Sequence, residues 1–568
     1  MGTGRRRIVI IGGVACGPKV AARARRRDLD AEITIIEKGS LLSYAGCGLP
    51  YYIGGSIPEL DGLRKTQYGT VRDEEFFRNF KGVDARTHMV AESIDREPKK
   101  VRVRNLETGA TEDFPYDKLV LATGASPVRP SIEGLELNRV FFVHVPDDAK
   151  RLRELVEGGE VDKAVFIGGG RIAVEVAESL FAHAVDAAIV EMEDSILPTL
   201  LDPEIAASVA SALREQGIEI FLSEKVVRIE GNAEGQACRV VTETRGIPAD
   251  MVIVATGVRP NVDLAAAAGL AIGETGAIAV NEYLQTSDPD IYAGGDCVEC
   301  TSLVTGRKVY APLGSTANRH GRVIGDNVTG GEATFPGIVG TSVMRTMGIN
   351  VSGTGVTERQ AKALGYAVIT CIVPSMDRAH YYPGAKLVLV KMVADAKDGR
   401  LLGAQVVGPG DVTKRVDVLA TALTSGATID DVANLDLGYA PPYSTALDSV
   451  AHAANVLKNK RDGMARSVTP AELQQRISQG EEFVLLDVRE MSEVEKSKME
   501  DGRVCAIPMS QLRASGKEIP RGKELICLCH IGMRSYEACR ALEGMGFADA
   551  KFLEGGLKFW FEVADSDA

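Results

Sequence analysis

Two cysteines have neighbours that could make them reactive toward sulfur or oxygen compounds. Cys47 lies in the sequence LSYAGCGLPYY, in which Tyr52 rather than a second cysteine stands five residues later. Cys529 opens the sequence CHIGMRS, a loop of the form C-x-x-G-x-R-S. A thiolate can attack a disulfide or polysulfide, and it can be oxidised to a sulfenic acid. Both thiols are therefore candidate catalytic groups, although a free cysteine is more often a small buried hydrophobe.

The loop at Cys529 has the chemistry of an anion-binding turn. Its successive amide groups, together with the N-terminus of a helix predicted over residues 536–545, would stabilise an anionic sulfur. Arg534 adds a positive charge, and four residues separate it from Cys529. Cysteine phosphatases need a larger C-x5-R loop to surround phosphate. The spacing therefore favours a persulfide sulfur as the bound group.

The other eight cysteines show no pattern that predicts a disulfide scaffold. They are scattered through 568 residues, and the chain has only seven histidines. Cys297 and Cys300 have C-x-x-C spacing, but no second pair follows at the spacing of a zinc site. We expect a structural role for this pair, with a redox or metal-binding role as the alternative. We predict no metal centre.

The first element that could supply electrons is a nucleotide-binding unit at the start of the chain. An apolar run over residues 8–11 leads into the turn GGVACG, an Ala- and Arg-rich helix and a second apolar run that ends at Glu37. Small residues at such a turn let the backbone approach a pyrophosphate, and the carboxylate can accept hydrogen bonds from a ribose. Val14 stands where the G-x-G-x-x-G pattern has its second glycine.

A second unit of the same kind begins at residue 163. Its turn, GGGRIA, places Gly168 and Gly170 at the first two glycine positions and Ala173 at the third, which the pattern allows. Two such units predict two dinucleotides. Glu191 ends the following strand with no Lys or Arg near it in sequence, so it should accept from a free 2′-hydroxyl and repel a 2′-phosphate. We therefore expect NADH rather than NADPH.

Two buried strands, at residues 119–122 and 251–254, each end in a small-residue turn and are predicted crossovers between nucleotide domains. A third short strand, in TSDPDIYAGGD, ends at Asp296. A carboxylate at a strand end beside a nucleotide can accept from a sugar or ribityl hydroxyl.

The order of these motifs gives residues 1–457 a resemblance to the pyridine nucleotide-disulfide oxidoreductase family, which has the glutathione-reductase fold. The resemblance implies two Rossmann-like domains and an α+β dimerisation domain, FAD on the first unit and a nicotinamide nucleotide on the second. The implied FAD-binding residues are Gly12, Ala15, Gly17, Glu37, Lys38, Ser43, Thr123, Gly124, Asp296 and Pro312. The implied NAD-binding residues are Gly168, Gly170, Ile172, Ala173, Glu191 and Gly257.

The pattern S-x-A-x-C-G-L-P-Y around Cys47 is similar to the active-site segment of coenzyme A-disulfide reductases and their CoA-persulfide or polysulfide-reducing relatives. Disulfide reductases of this fold carry a C-x4-C pair, so the lone Cys47 must cycle through a bond to an external sulfur or through a sulfenic acid. Pro50 suits the first turn of a helix whose dipole would stabilise the thiolate. Three positions differ from the relatives: Gly46 replaces Asn, Leu447 replaces Lys, and Arg171 replaces an aromatic residue.

This resemblance also implies further site residues. Coenzyme A would contact Ala15, Arg23, Arg26 and Ser43, although both arginines could instead form a solvated helix face. Tyr381 and Tyr439 would reach the cysteine of the partner subunit of a homodimer and could protonate a leaving thiolate. Packing at the subunit interface is the alternative role for these tyrosines.

A charged linker precedes a last domain that resembles a rhodanese. This resemblance rests on Asp487 and Arg489 at a strand end, the loop from Cys529 to Ser535, and the later sequence GGLKFW. It implies an α/β fold with Cys529 and Arg534 as catalytic residues and His530, Ile531, Gly532, Met533 and Ser535 in the active-site loop. A degenerate domain kept for docking is the alternative.

Composition narrows the class of protein. A chain of 568 residues predicts about three to five domains. The formal net charge of −13 argues against a nucleic-acid partner, and no stretch approaches the roughly 20 apolar residues that span a bilayer. The short apolar run after RRR is a strand rather than a signal peptide. We expect a cytoplasmic protein without a membrane partner.

The predicted domains are an FAD domain (1–117 and 258–331), an NAD domain (118–257), a dimerisation domain (332–457), a linker (458–466) and a rhodanese domain (467–568). The predicted activity is FAD-dependent, NADH-driven reduction of CoA persulfide, polysulfide or CoA disulfide through Cys47, with Cys529 carrying sulfane sulfur. The alternatives are an NADH oxidase or peroxidase that uses a Cys47 sulfenic acid, and a sulfurtransferase or redox sensor regulated by the flavoprotein half.

Overall fold

The computed structural model describes residues 5–516 and 519–564. The chain forms two compact units, one of residues up to 190 with 224–338, the other of residues 191–223 with those after 338. The structure has the mixed α/β and α+β architecture that the sequence predicts. Among the described residues, no helix is long and apolar enough to cross a membrane.

Residues up to 190 form the following elements: β1 Arg7–Ile11, α1 Cys16–Arg27, β2 Glu32–Ile36, a 3-10 turn Gly46–Gly48, α2 Leu49–Ile53, a 3-10 turn Leu60–Leu63, α3 Glu74–Lys81, β3 Asp84–Arg86, β4 Met89–Asp95, β5 Lys100–Asn105, β6 Thr111–Pro115, β7 Lys118–Leu121, β8 Ala125–Pro127, β9 Val140–Phe141, α4 Pro146–Glu157, β10 Lys163–Ile167, α5 Arg171–Phe181 and β11 Asp186–Val190.

Residues 191–338 form α6 Pro203–Glu215, β12 Glu219–Phe221, β13 Val226–Gly231, β14 Ala237–Thr242, β15 Gly246–Pro248, β16 Met251–Val254, β17 Val258–Pro260, α7 Asp263–Ala267, β18 Ile291–Ala293, β19 Cys300–Thr301, β20 Lys308–Val309 and α8 Gly314–Asn327.

The first sheet is parallel, with strand order β18-β7-β1-β2-β3. Its central strands are short apolar runs buried on both faces, as parallel strands covered by helices must be. The carboxyl ends of β1, β2, β7 and β18 therefore meet at one edge, where the predicted FAD residues follow. Strand β7, which begins at Lys118, pairs with β1 in this first sheet.

Backbone contact explains the glycines of the first turn. Gly12 has a φ of +111°, and a Cβ there would lie 2.0 Å from the Ala122 carbonyl oxygen. A Cβ on Gly17 would lie 1.9 Å from the Gly12 oxygen. Only glycine fits these two positions, whereas Val14 occupies a place that tolerates a side chain.

The second nucleotide sheet has β11, β10, β16 and β9 in parallel order. Gly168 directly follows β10 and has a φ of +100°. A Cβ there would lie 2.7 Å from the Ala255 carbonyl oxygen. Two three-stranded antiparallel sheets, β4-β5-β6 and β13-β14-β15, accompany the two nucleotide sheets.

Residues 339–461 form β21 Ser342–Thr346, β22 Ile349–Gly355, α9 Glu358–Ala363, β23 Val368–Met376, β24 Leu387–Asp395, β25 Leu401–Gly408, α10 Thr413–Thr424, α11 Ile429–Ala433 and α12 Ser449–Arg461. Their antiparallel sheet has the order β21-β22-β25-β24-β23. The hairpin β24–β25 turns at Asp398-Gly399, as the D-G sequence predicts. Helix α12 extends to Arg461, so the first four residues of the predicted linker are helical.

The last region forms β26 Ser467–Val468, α13 Pro470–Ser478, β27 Val484–Asp487, α14 Met491–Val494, β28 Val504–Ala506, β29 Leu525–Leu528, α15 Met533–Gly544, β30 Ala550–Leu553 and α16 Gly556–Ala564. Its parallel sheet has the order β26-β30-β29-β27-β28. Strand β29 is central and fully buried, and it places Cys529 at its carboxyl end, before the start of α15.

Candidate functional site

The residues at the first sheet edge fit an FAD pyrophosphate. Helix α1 begins at Cys16 with no side-chain cap and no acidic residue in its first turn, so its free amide groups face the glycine turn. Lys38 is exposed beside this turn. The Glu37 carboxylate accepts hydrogen bonds from the amides of Gly13 at 2.5 Å and Gly39 at 2.6 Å. The carboxylate is thereby fixed at the strand end, where a ribose would lie.

Asp296 carries the clearest sign of a missing partner. It follows β18 and Gly295, burial raises the pKa of its carboxyl group, and the charge of Arg171 opposes that rise. Among the described residues, no group donates a hydrogen bond to this carboxylate. This half-buried carboxylate can therefore accept from a ribityl hydroxyl. Thr123 and Gly124, which has a φ of +66°, follow β7, and half-buried Pro312 lies between β20 and α8.

Cys47 is exposed, in the 3-10 turn that precedes α2. Pro50 lies in the first turn of α2, as predicted, but Cys47 stands one residue before the helix N-cap, Gly48. A second helix is also close, because a Cβ on Gly314 would lie 3.7 Å from the Cys47 sulfur. Helix α8 starts at Gly314 with no side-chain cap and no acid in its first turn. The free amide groups of its first turn therefore lie close to the Cys47 sulfur.

Tyr52 fills the position where disulfide reductases of this fold carry a second cysteine. Its side chain is buried, and the Arg153 guanidinium lies 4.7 Å from the ring centre. No dithiol can form with Cys47 at this position. Gly46, in contrast, is exposed, and a Cβ there would contact only Tyr44 at 4.0 Å, so the site has room for the Asn of the relatives.

The turn after β10 fits a second dinucleotide. Gly170 is the N-cap of α5, which has no side-chain cap and no acid in its first turn. Ile172 is exposed, whereas Ala173 is fully buried, which explains its small size. Glu191 follows β11, is buried, and accepts from the Glu193 amide at 2.9 Å. Gly257 has a φ of +99° in the turn after β16.

Cys529 is buried at the start of a closed loop. The Gly532 amide donates to the Cys529 sulfur at 3.1 Å, and Gly532, with a φ of +92°, is the N-cap of α15. The amides of Leu557 and Lys558 donate to the carbonyls of Cys529 and His530. These contacts shape the loop around the sulfur and direct helix amides toward it. A hydrogen bond to Cys539 and burial raise the pKa of the neighbouring Cys527 thiol.

The charged residues of this loop are paired. Arg534 binds both carboxylate oxygens of Glu493 at 2.7 Å, and this contact lowers the pKa of Glu493 to about 2. Asp487 and Arg489 form a buried ion pair with two hydrogen bonds, and the Arg489 guanidinium also donates to the Ser497 carbonyl. The pair thus fixes the end of β27 to the segment at Ser497.

The rest of the predicted loop divides between surface and core. His530 and Met533 are exposed, Ile531 is half-buried, and Ser535 is buried with no hydrogen-bond partner for its hydroxyl among the described residues.

Comparison with known proteins decides the family. The model of the pyridine nucleotide-disulphide oxidoreductase family matches residues 6–321, that of its dimerisation domain 343–451, and that of the rhodanese-like domain 469–562. The chain belongs to the pyridine nucleotide-disulphide oxidoreductase family. As a member it is an oxidoreductase that uses FAD and NAD(P)H. The predicted family, fold class and cofactors are confirmed.

Three relatives show what proteins of this family do. The structure of a NAD-dependent persulfide reductase from A. fulgidus is 47% identical, covers 98% of this chain and 100% of its own, and has a TM-score of 0.93. The NAD(P)H coenzyme A polysulfide/persulfide reductase of Pyrococcus horikoshii is 38% identical over 80% of this chain and 99% of its own length. An NADH oxidase of Methanocaldococcus jannaschii is 35% identical over 79% and 98%.

In this family member, the residues predicted to bind coenzyme A lie around α1. Ala15 is the N-cap of α1, and Ser43 has a φ of +51° while its amide donates to the Gly13 carbonyl. Arg23 is paired with Asp326 of α8 at 2.6 Å, whereas Arg26 is exposed. Arg26 is thus open to a phosphate, and Arg23 would have to share its charge with Asp326.

The two predicted tyrosines lie together. Tyr381 and Tyr439 are 67% and 50% exposed, and a hydrogen bond between them raises the pKa of Tyr439. Arg415, which is fully buried, joins their loops by donating to the Asp377 carbonyl and to the Asp448 carboxylate at 3.0 Å. Sequence motifs identified the tyrosines, but the role of Arg415 depends on tertiary contacts that no local pattern shows.

Two further observations concern residues that the motifs left open. Cys297 donates to the carbonyls of Leu121 and Gly294, and Cys300 lies 3.8 Å from the Nε2 atom of buried His320. Among the described residues, no cluster of His, Cys, Asp and Glu could hold a metal.

Glu175 of α5 was missed as a site residue. Burial raises the pKa of its carboxyl group to about 7, against the charge of Arg171. A perturbed carboxyl on a nucleotide-binding helix is a candidate functional group.

Proposed function

We propose that the protein reduces the sulfane sulfur of CoA persulfide or polysulfide, or the disulfide of CoA, with electrons from NADH. The observation that carries this proposal is the lone, exposed Cys47, with Tyr52 where a second thiol would stand and the uncapped start of α8 beside its sulfur. Such a thiol needs an external sulfur to complete its cycle. The names of the A. fulgidus and P. horikoshii relatives support this substrate class.

The residues suggest the following steps. The Cys47 thiolate attacks an S–S bond of the substrate, forming a mixed disulfide and releasing the other sulfur as a thiolate or sulfide. Tyr439, hydrogen-bonded to Tyr381, is placed on a surface from which it could give that leaving group a proton. FAD held at the glycine turn after β1 would supply two electrons from NADH, which would split the mixed disulfide into the Cys47 thiolate and the second thiolate product. Arg26 is free to bind a CoA phosphate.

We propose that Cys529 carries a sulfane sulfur, which the Gly532 amide and the start of α15 would stabilise as an anion. A rhodanese in the same chain favours sulfur reduction over the oxidase or peroxidase activity that the M. jannaschii relative suggests, because peroxide reduction needs no sulfur carrier. A sulfurtransferase or redox sensor, regulated by the flavoprotein half, is the other alternative.

We also propose a cytoplasmic homodimer. The chain carries a dimerisation domain, and its exposed tyrosines suit contact with a second subunit. All ten cysteines are free, as expected for a reducing compartment.

The test is NADH consumption by the FAD-loaded enzyme with CoA persulfide, CoA disulfide, polysulfide, peroxide and oxygen. We expect Cys47→Ser to abolish turnover of every sulfur substrate and Cys529→Ser to impair persulfide or polysulfide selectively. Cys238→Ser, which changes another exposed cysteine, is the matched control. Full turnover of sulfur substrates by Cys47→Ser would disprove the proposal. Wild-type activity of Cys529→Ser with every sulfur substrate would show that the rhodanese domain takes no part in turnover. Parallel assays with NADPH test the cofactor preference.

A further inference from the structure

The helix beside Cys47 is held at its carboxyl end by an arginine from another helix. The Nη1 atom of Arg153, in α4, donates to the carbonyl of Tyr52 at 3.2 Å. The same nitrogen lies within hydrogen-bond distance of the carbonyls of Ile57 at 3.2 Å and Pro58 at 3.1 Å. One side chain therefore fixes both the end of α2 and the segment that follows it.

Helix α5 supplies two more donors to the same end. The Ser179 hydroxyl donates to the Pro50 carbonyl at 2.7 Å, and the Nε2 atom of His183, just beyond α5, donates to the Ile53 carbonyl at 2.9 Å. The contact is close, because a Cβ on Gly54 would lie 3.1 Å from the Ser179 Cα. Helix α2 is thus packed on α5, the helix that starts at the second nucleotide turn.

These donors matter because α2 has only five residues. The last four carbonyls of any helix lack partners within it, and so short a helix has little stability of its own. A cation at the carboxyl end also interacts favourably with the helix dipole. The structure of α2 therefore depends on groups outside it.

Arg153 is well placed for this purpose. Its side chain is 15% exposed, its guanidinium lies 4.7 Å from the centre of the Tyr52 ring, and its Nε donates to Glu157 at 2.7 Å. The contact with Tyr52 joins two favourable interactions at one residue, a hydrogen bond to the backbone and a cation–π contact with the ring.

We propose that Arg153 is a positioning residue for Cys47. By holding Tyr52 and the carboxyl end of α2, it keeps the Cys47 sulfur at the start of α8, close to Gly314. Position 52 carries no second cysteine that could hold this segment by a covalent bond. The contacts of Arg153 hold it instead. This inference rests on the proposed role of Cys47 as the redox thiol.

The test compares Arg153→Met and Arg153→Lys with Lys150→Met, a change of an exposed cation on the same helix. For Arg153→Met we expect kcat with CoA disulfide to fall by about tenfold to hundredfold, the range for a misplaced catalytic group. The KM for NADH and the NADH:ferricyanide activity, which bypasses Cys47, should stay unchanged. The pH profile for alkylation of Cys47 by iodoacetamide should shift. Arg153→Lys should restore part of the loss, and Lys150→Met should match wild type.

Wild-type kcat and a wild-type alkylation profile in Arg153→Met would overturn the proposal. Should that variant not fold or not bind FAD, Arg153→Lys is measured in its place: a shifted alkylation profile supports the role of Arg153, and an unchanged one refutes it. If Cys47→Ser is inactive while Arg153→Met behaves as wild type, only the positioning role fails. If Cys47→Ser keeps full turnover, the proposed function itself fails.

Discussion

Glu175 is a carboxyl group that burial keeps protonated close to neutral pH. Its pKa is raised to about 7 from the ordinary 4.5, so between these values the folded state holds a proton that the unfolded chain has released. The stability gained from that proton is complete below pH 4.5 and is lost as the pH rises through about 7. At higher pH the fold contains a buried carboxylate.

We predict that Glu175→Gln stabilises the protein at alkaline pH, by at most about 3 kcal/mol, because an amide carries no charge to desolvate. At about pH 5 the variant and the wild type should melt at nearly the same temperature. Melting curves of the FAD-loaded protein across this range check it, with the exposed Glu97→Gln as control. A gain that does not depend on pH would contradict the assigned titration.

Helix α8 begins beside the sulfur of Cys47. A negative charge placed in its first turn should therefore favour the helix but disfavour the Cys47 thiolate. Ser315, which is exposed, follows Gly314 in that turn. We predict that Ser315→Asp is neutral or stabilising for the fold, since acids favour helix starts, while it slows alkylation of Cys47 at neutral pH. A charge at a helix end is worth about 0.3–1 kcal/mol, or about two- to fivefold in rate.

Ser315→Asn, which has the same shape without the charge, is the control for this prediction. Ser315→Asp should be alkylated more slowly than the wild type and should melt at the same or a higher temperature. Ser315→Asn should match the wild type in both measurements. Equal rates in all three proteins would mean that α8 has no electrostatic effect on the thiol.

The elements differ in how well the sequence predicts them. Strands β1, β2, β10 and β11 were predictable because apolar runs flank glycine turns whose φ values only glycine adopts readily. The hairpin of β24 and β25 was predictable from its D-G turn. The position of α8 beside Cys47 was not, because residues 47 and 314 meet only through the fold of the first sheet. Glu493, the partner of Arg534, escaped prediction for the same reason.

One buried carboxylate, that of Glu554, joins the rhodanese domain to the dimerisation domain. Glu554 accepts from the Ile372 amide at 2.8 Å, the Lys460 ammonium at 2.5 Å and the Ser467 hydroxyl at 2.5 Å. It directly precedes the glycines that pack on the Cys529 loop, since a Cβ on Gly556 would lie 2.6 Å from the His530 oxygen. No local sequence pattern predicts this contact, because each partner belongs to a different element.

We predict that Glu554→Gln loosens the attachment of the rhodanese domain. The amide leaves the Lys460 charge without its counter-ion, which costs about 3 kcal/mol when a buried pair is broken. Limited trypsin digestion should then cut after α12 faster than in the wild type, while NADH:ferricyanide activity is retained. Glu537→Gln, at an exposed site of α15, is the control. Unchanged digestion would show that other contacts hold the domain.

The burial of Cys529 limits which molecules can take its sulfur. The thiol is only 1% exposed, beneath a loop closed by α16, so the terminal atom of a persulfide is the part that an acceptor can reach. A folded protein surface is too broad to enter such an opening, whereas a small anion or the tip of a flexible thiol chain is slender enough. The burial of Cys529 would thus restrict a sulfane sulfur carried there, as we propose, to narrow, diffusible acceptors.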